Sequence, residues 1–224
     1  MDENRIFTHN QLKALLLGCG YTHCVGVDLG DGEMDREQAL CALNELTAMG
    51  LISSDGDGFT GTAEAKRIAA ALGGSPCYIA VHTKTPGLPD LCCLGTGSIL
   101  VCLPYAGDRV AVRLSGCQAL FSALCEEGYL PRDGEGLALD EKALEDYEAP
   151  VFAFYDPNAP LATDSRILFS AEQITRDGAV KACLRVIEYH FYNYIYYSAN
   201  GQITRVLYSR EALGGFFKGL MSSK

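Results

Sequence analysis

Apolar residues recur at helical spacing three times in the first 75 positions. Leu12, Leu15, Leu16 and Cys19 form one stripe, with Thr8 or Asn10 placed to cap its start and Gly18 and Gly20 to end it. Leu40, Leu43, Leu46, Ala48 and Met49 form a second. Asp35 opens it with Gln38 three residues on, a capping box in which each side chain answers the other's backbone N–H, and Gly50 closes it. Ile68, Ala69 and Leu72 form the third, capped by Thr62. Between the second and third helices, Leu51-Ile52 and Phe59-Thr60 read as short strands joined by the turn Ser54-Asp55-Gly56-Asp57-Gly58.

After Gly73-Gly74-Ser75-Pro76 the pattern changes to that of strands. Cys77–Val81, Leu91–Leu94, Ile99–Leu103 and Arg109–Leu114 read as strands. Thr85 to Asp90 carries two prolines, which a central strand does not accept, and is a loop. Ser115 is placed to cap a helix built on Leu120, Phe121 and Leu124, which Gly128 ends. Pro131 to Ser165 holds four prolines and reads as a connector, with a short helix over Asp140 to Tyr147 and a strand at Val151–Phe154. Further on, Ser170 is placed to cap a short helix through Ile174, and Ala182–Ile187 is a strand. Phe191–Ala199 and Gln202–Tyr208 form a hairpin about Asn200-Gly201, the turn in which both central residues take positive φ. Ser209 caps a last helix carrying Leu213, Phe216, Phe217 and Leu220.

These elements predict an α+β fold, antiparallel sheets flanked by helices. The chain divides into a helical, winged-helix-like unit over 1–75, a first sheet-and-helix half over 76–131, a connector over 132–165 and a second sheet-and-helix half over 166–224, expected to pack as one globule. Thr62-Ala63-Glu64 opens a helix that leads through strands to Arg109–Leu114 and the Ser115-capped helix. Ser170-Ala171-Glu172 opens the same order, ending in Gln202–Tyr208 and the Ser209-capped helix. The parallel predicts a pseudo-two-fold internal repeat.

Charge narrows the function. The 224 residues include 18 Lys and Arg against 28 Asp and Glu, a net −10, which repels nucleic-acid phosphates. Residues 1–75 carry 5 basic and 11 acidic side chains, and Asp55 and Asp57 occupy the wing tip where a DNA reader carries Lys or Arg. The winged-helix outline is therefore expected to serve packing or protein contact. Residues 166–224 reverse the sign, with 8 basic against 4 acidic. Met1 to Arg5 has no signal-peptide character, and no apolar run reaches the length of a membrane span. Most of the ten cysteines lie inside apolar runs, where Cys behaves as a small hydrophobe. Free thiols and a reducing cytoplasm are expected.

No constellation carries recognisable chemistry. The spacing of Cys19, His23 and Cys24 fits no common zinc module, and Cys92 and Cys93 would point to opposite faces of a strand. Asp28, Asp31 and Glu33 precede a helix whose positive end favours them. Gly95-Thr96-Gly97-Ser98 lacks the lysine and following helix of a phosphate loop. None of His9, His23, His82 and His190 sits in a nucleophile motif. No catalytic residue, cofactor or metal ligand is nominated, and a non-enzymatic protein is expected. The nominated surface is the hairpin face carrying Tyr192, Tyr194, Tyr196 and Arg205, with Ile203 and Leu207, whose composition suits protein binding.

The stretch Ala39–Ile52, the Asp-Gly turn after it and the two sheet-then-helix halves resemble the EspG-like family of type VII (ESX) secretion chaperones. The resemblance implies a cytoplasmic, quasi-two-fold α+β protein that binds helical secretion substrates and performs no chemistry. Two other classes compete: a winged-helix regulator with a sensor domain, and a thiol enzyme using Cys24 or Cys117.

Overall fold

The computed structural model describes residues 4–54, 58–95, 98–132, 165–189 and 192–222. The fold is α+β. The helices are α1 (His9–Gly18), α2 (Arg36–Ala48), α3 (Ala63–Gly74), α4 (Cys117–Glu126) and α5 (Arg210–Ser222). The strands are β1 (Arg5–Thr8), β2 (Ile52–Ser54), β3 (Phe59–Gly61), β4 (Cys77–Thr83), β5 (Leu91–Leu94), β6 (Ile99–Tyr105), β7 (Arg109–Ser115), β8 (Ser165–Thr175), β9 (Val180–Tyr189), β10 (Tyr192–Ala199) and β11 (Gln202–Leu207). Nine of them hydrogen-bond in the order β1-β7-β6-β5-β4-β8-β9-β10-β11, and β2 pairs with β3 apart from them. Two compact units emerge. The first is Met1–Ala80, Pro89–Cys117 and Ile174–Ala179; the second is Val81–Leu88, Gln118–Gln173 and Val180–Lys224.

In the first unit the helix starts follow the local signals. Thr8 Oγ1 accepts from the Gln11 amide at 3.2 Å while the Gln11 side chain accepts from the Thr8 amide at 2.8 Å. Asp35 and Gln38 do the same for α2 at 2.8 and 3.0 Å. Leu12, Leu15, Leu16, Leu46, Leu51, Ile68 and Leu72 meet Leu94, Leu100 and Cys102 of the sheet in one core. The inner face of α2 differs from the expected stripe. Ala42 and Leu46 are buried, whereas Leu40 is 48% exposed and Ala48 is also exposed. The strand β1 has no sequence counterpart above. It pairs antiparallel with β7, Phe7 opposite Val110, and puts the Phe7 ring wholly inside. The hairpin β2–β3 stands where expected, with Ile52 opposite Gly61 and Ser54 opposite Phe59. Its acidic tip, Asp55 to Asp57, lies outside the described residues.

The second unit holds the Asn-Gly hairpin. Asn200 and Gly201 have φ of 53° and 75°, and Ala199 faces Gln202, so β10 and β11 pair as the turn requires. The Ser209 hydroxyl accepts from the Ala212 amide at 3.1 Å and caps α5. Two expected caps are corrected. Ser170 to Ile174 is not a helix but the second half of β8. Ser170 and Gln173 have capping-box spacing, yet a cap contributes only about 1 kcal/mol. Burying Phe169, Ala171 and Gln173 at alternate positions of a paired strand outweighs it. Ser115 ends β7, and its hydroxyl donates to the Gly116 carbonyl at 3.2 Å rather than opening α4.

Four strands and a helix thus occur twice in chain order, β4 to β7 with α4 and β8 to β11 with α5. The second run opens on a strand, not on the expected helix. The helix expected over Asp140 to Tyr147 and the strand at Val151–Phe154 lie outside the described residues. No helix among the described residues is long and apolar enough to cross a membrane.

Candidate functional site

The hairpin's register matches the sequence reading and its exposure does not. Tyr194 faces Leu207, Tyr196 faces Arg205 and Ser198 faces Ile203. These residues share one side of the sheet, but Tyr194 and Tyr196 are only 1% and 0% exposed. They form part of the core instead of a free tyrosine surface. β10 is an interior strand, flanked by β9 and β11, with Tyr196 opposite Arg185 on one side and Arg205 on the other. The Arg185–Glu172 ion pair, 2.6 Å long and largely buried, stands in the same unit. Burial pushes the Tyr196 phenol above its ordinary pKa, the Cys183 thiol adds to this, and Ser198, Arg185 and Arg205 pull the other way. The opposite side of β10 is covered too. The Tyr197 ring lies 5.2 Å from Phe216 of α5, and Phe121 of α4 lies 5.6 Å from Phe217. Tyr192 pairs with Tyr189 through its backbone, and its side chain lies outside the described residues. Arg205 is exposed, between Ile203 at 49% and Leu207 at 38%.

Several of the thiols are held in the protonated form by burial. All ten cysteines are free. Burial raises Cys24 to about 11 and Cys93 to about 12, and drives Cys92 and Cys102 well up as well. A thiol at 11 is protonated at neutral pH and is a poor nucleophile, which argues against Cys24 as a catalytic residue. Cys41 is exposed but donates to Glu45 at 3.6 Å, and that carboxylate raises its pKa. Among the described residues no three His, Cys, Asp or Glu side chains come together as a metal site.

Two grooves are more substantial. In the first unit, α1 and the link from Tyr21 to Met34 enclose about 850 Å³. Leu16, Leu17, Tyr21, Val27 and Met34 line it with apolar surface, and Asp28, Asp31 and Glu33, with Lys13 and His23, bring a mainly acidic set of charged and polar side chains. Lys13 Nζ donates to the Gly32 carbonyl at 2.7 Å and ties the link to α1. Asp28 accepts from the Gly30 amide at 2.8 Å and tightens the turn. Leu17, which lies off the inner stripe of α1, is 57% exposed. That extra leucine was the signal for this groove; the acids alone read as belonging to the start of α2. In the second unit a groove of about 680 Å³ has Lys84, Arg132 and Arg166 on its walls, with Glu188 held to Arg166 at 3.0 Å.

No protein-family model matches the chain, and no curated protein matches it in sequence. Among solved structures it is similar to the Mycobacterium tuberculosis type VII secretion system chaperone EspG5, solved in complex with a PE25-PPE41 dimer. The likeness covers 98% of this chain and 96% of that chain, with a TM-score of 0.51 and 9% sequence identity. At that identity it is a likeness of fold.

Proposed function

We propose that the chain is a cytoplasmic, non-enzymatic adaptor or chaperone that binds another protein, with helical substrates of type VII secretion as its client class. The observation that carries this reading is the fold likeness along nearly the whole of both chains to a chaperone solved with a protein dimer. The groove beside α1 supports it. An apolar lining with a mainly acidic set of charged side chains suits an amphipathic helix that lays down an apolar ridge and flanks it with basic residues.

The test is recovery of a client. The full-length tagged chain is purified from its own host and the co-eluting proteins are identified by mass spectrometry. A small helical secreted protein that is recovered by the wild type and lost with Leu17→Glu or Asp31→Lys supports the reading. Leu17 and Asp31 are exposed, so both variants should keep the wild-type melting temperature. A chain that purifies alone, or a client indifferent to both substitutions, counts against it.

A further inference from the structure

We propose that the outer edge of β11, where the strand order of the described residues ends, takes up an extended segment of a partner protein as an added strand, and that this segment alternates apolar, acidic and apolar residues. The proposal rests on the protein-binding reading for the existence of a partner, and not on the groove beside α1.

The hairpin determines which backbone groups face outward. Ala199 opposes Gln202 across a two-residue turn, and the Tyr208 amide donates to the Asn193 carbonyl at 3.0 Å. Residues 202, 204, 206 and 208 therefore exchange hydrogen bonds with β10. In an antiparallel ladder the intervening residues point their N–H and C=O groups the other way. Those of Ile203 and Leu207 point to the side on which the strand order ends. Edge strands are commonly blunted by proline, lysine or a bulge. Over Gln202–Leu207 the chain has no proline and no bulge, its pairing with β10 is unbroken, and Arg205 is its one charged side chain.

The side chains of the same residues select what can join. Ile203 and Leu207 are 49% and 38% exposed on one face, with exposed Arg205 between them. A row of outward amides and carbonyls is matched only by another extended chain. Opposite Ile203 and Leu207 that chain gains from apolar side chains, and opposite Arg205 from a carboxylate. A second copy of this chain fits less well. The antiparallel register that sets Ile203 against Leu207 also sets Arg205 against Arg205, and like charges directly opposite repel.

The probe is the synthetic peptide acetyl-Thr-Val-Thr-Glu-Thr-Val-Thr-amide, titrated into the full-length, nitrogen-15-labelled protein. The amides of Ile203 and Leu207 should shift and exchange more slowly with solvent, while those of Thr204 and Val206 stay put. Lysine in place of the peptide's glutamate should weaken binding by roughly two- to fivefold. Arg205→Glu should reverse that preference; if the variant fails to fold, the two peptides on the wild type decide the question. No response at Ile203 and Leu207, equal responses at the inward amides, or undiminished binding of a peptide with proline at its centre overturns the proposal. So does slowed exchange of these amides with rising protein concentration alone, which assigns the edge to a second copy. A peptide that docks while no client is recovered keeps the edge and removes the chaperone reading. A client recovered while the peptide fails to dock does the reverse.

Discussion

Four thiols in the first unit, Cys24, Cys92, Cys93 and Cys102, are held above their ordinary pKa mainly by burial. A buried thiol raised in this way supports the fold fully below its unfolded value and loses that support as pH rises through the folded one. Cys24 moves from 9.0 to about 11 and Cys93 from 9.0 to about 12. Stability should therefore hold up to about pH 9 and decline above it as the unfolded chain sheds protons the folded chain keeps. Urea midpoints at about pH 8 and about pH 10.5 check this, and Cys24→Ala should shrink the drop between them. The tyrosines make a second prediction at this scale. Tyr196 is wholly buried, so Tyr196→Ser should cost roughly 3–5 kcal/mol of stability. Ile203→Ser, on the same face but exposed, should stay within about 0.5 kcal/mol. Equal losses in denaturant unfolding would mean that the two side chains share one environment.

At the scale of elements, helix ends are secured both by neighbours in sequence and by residues far away. The boxes Thr8/Gln11 and Asp35/Gln38 are local. The C-terminal end of α3 is different. Arg176, from the turn after β8, donates from Nε to the Ser75 carbonyl at 2.7 Å and from a terminal nitrogen to the Gly73 carbonyl at 2.9 Å. A cation satisfying the last carbonyls of a helix also meets the negative end of its dipole. Arg176→Ala should cost about 1.5–3 kcal/mol, the range for hydrogen bonds to a charged group. Amide exchange should speed up in the last turn of α3 and leave its first turn unchanged. The helix itself was legible from Thr62 and the stripe of Ile68, Ala69 and Leu72. Its distal cap was not, because 101 residues separate Arg176 from Ser75. β8 is the complementary case, where a local capping pattern over Ser170 to Gln173 loses to sheet pairing that no short window contains.

Across the whole molecule, charge is distributed unevenly. The net −10 combines −6 over residues 1–75 and −8 over residues 76–165 with +4 over residues 166–224. If the acidic side chains beside α1 recruit a client, capture should weaken as salt rises from about 50 to about 500 mM, because exposed charges are screened within about 10 Å at 0.1 M. Client recovery measured across that series checks it, and salt-independent recovery would point to a wholly apolar contact. The four-strands-and-a-helix order that occurs twice, and the fold likeness that spans both chains, belong to this scale as well.

The sequence by itself determined the features that depend on a few neighbouring residues. Thr8, Asp35 and Thr62 open helices, Gly50 ends one, and Asn200-Gly201 turns a hairpin, since each acts through hydrogen bonds or φ preferences spanning at most five positions. The α+β class followed from the change of apolar period after residue 76. Tertiary structure alone decided which faces are covered. Tyr194 and Tyr196 on the interior strand β10 are buried while Ile203 and Leu207 on the same face of β11 stay exposed, β1 exists because β7 offers it an edge, and Leu17 stays exposed because the inner face of α1 is already filled. An apolar residue carries the same preference for burial wherever it stands, and only the remote segments that reach it, or fail to, turn that preference into core or surface.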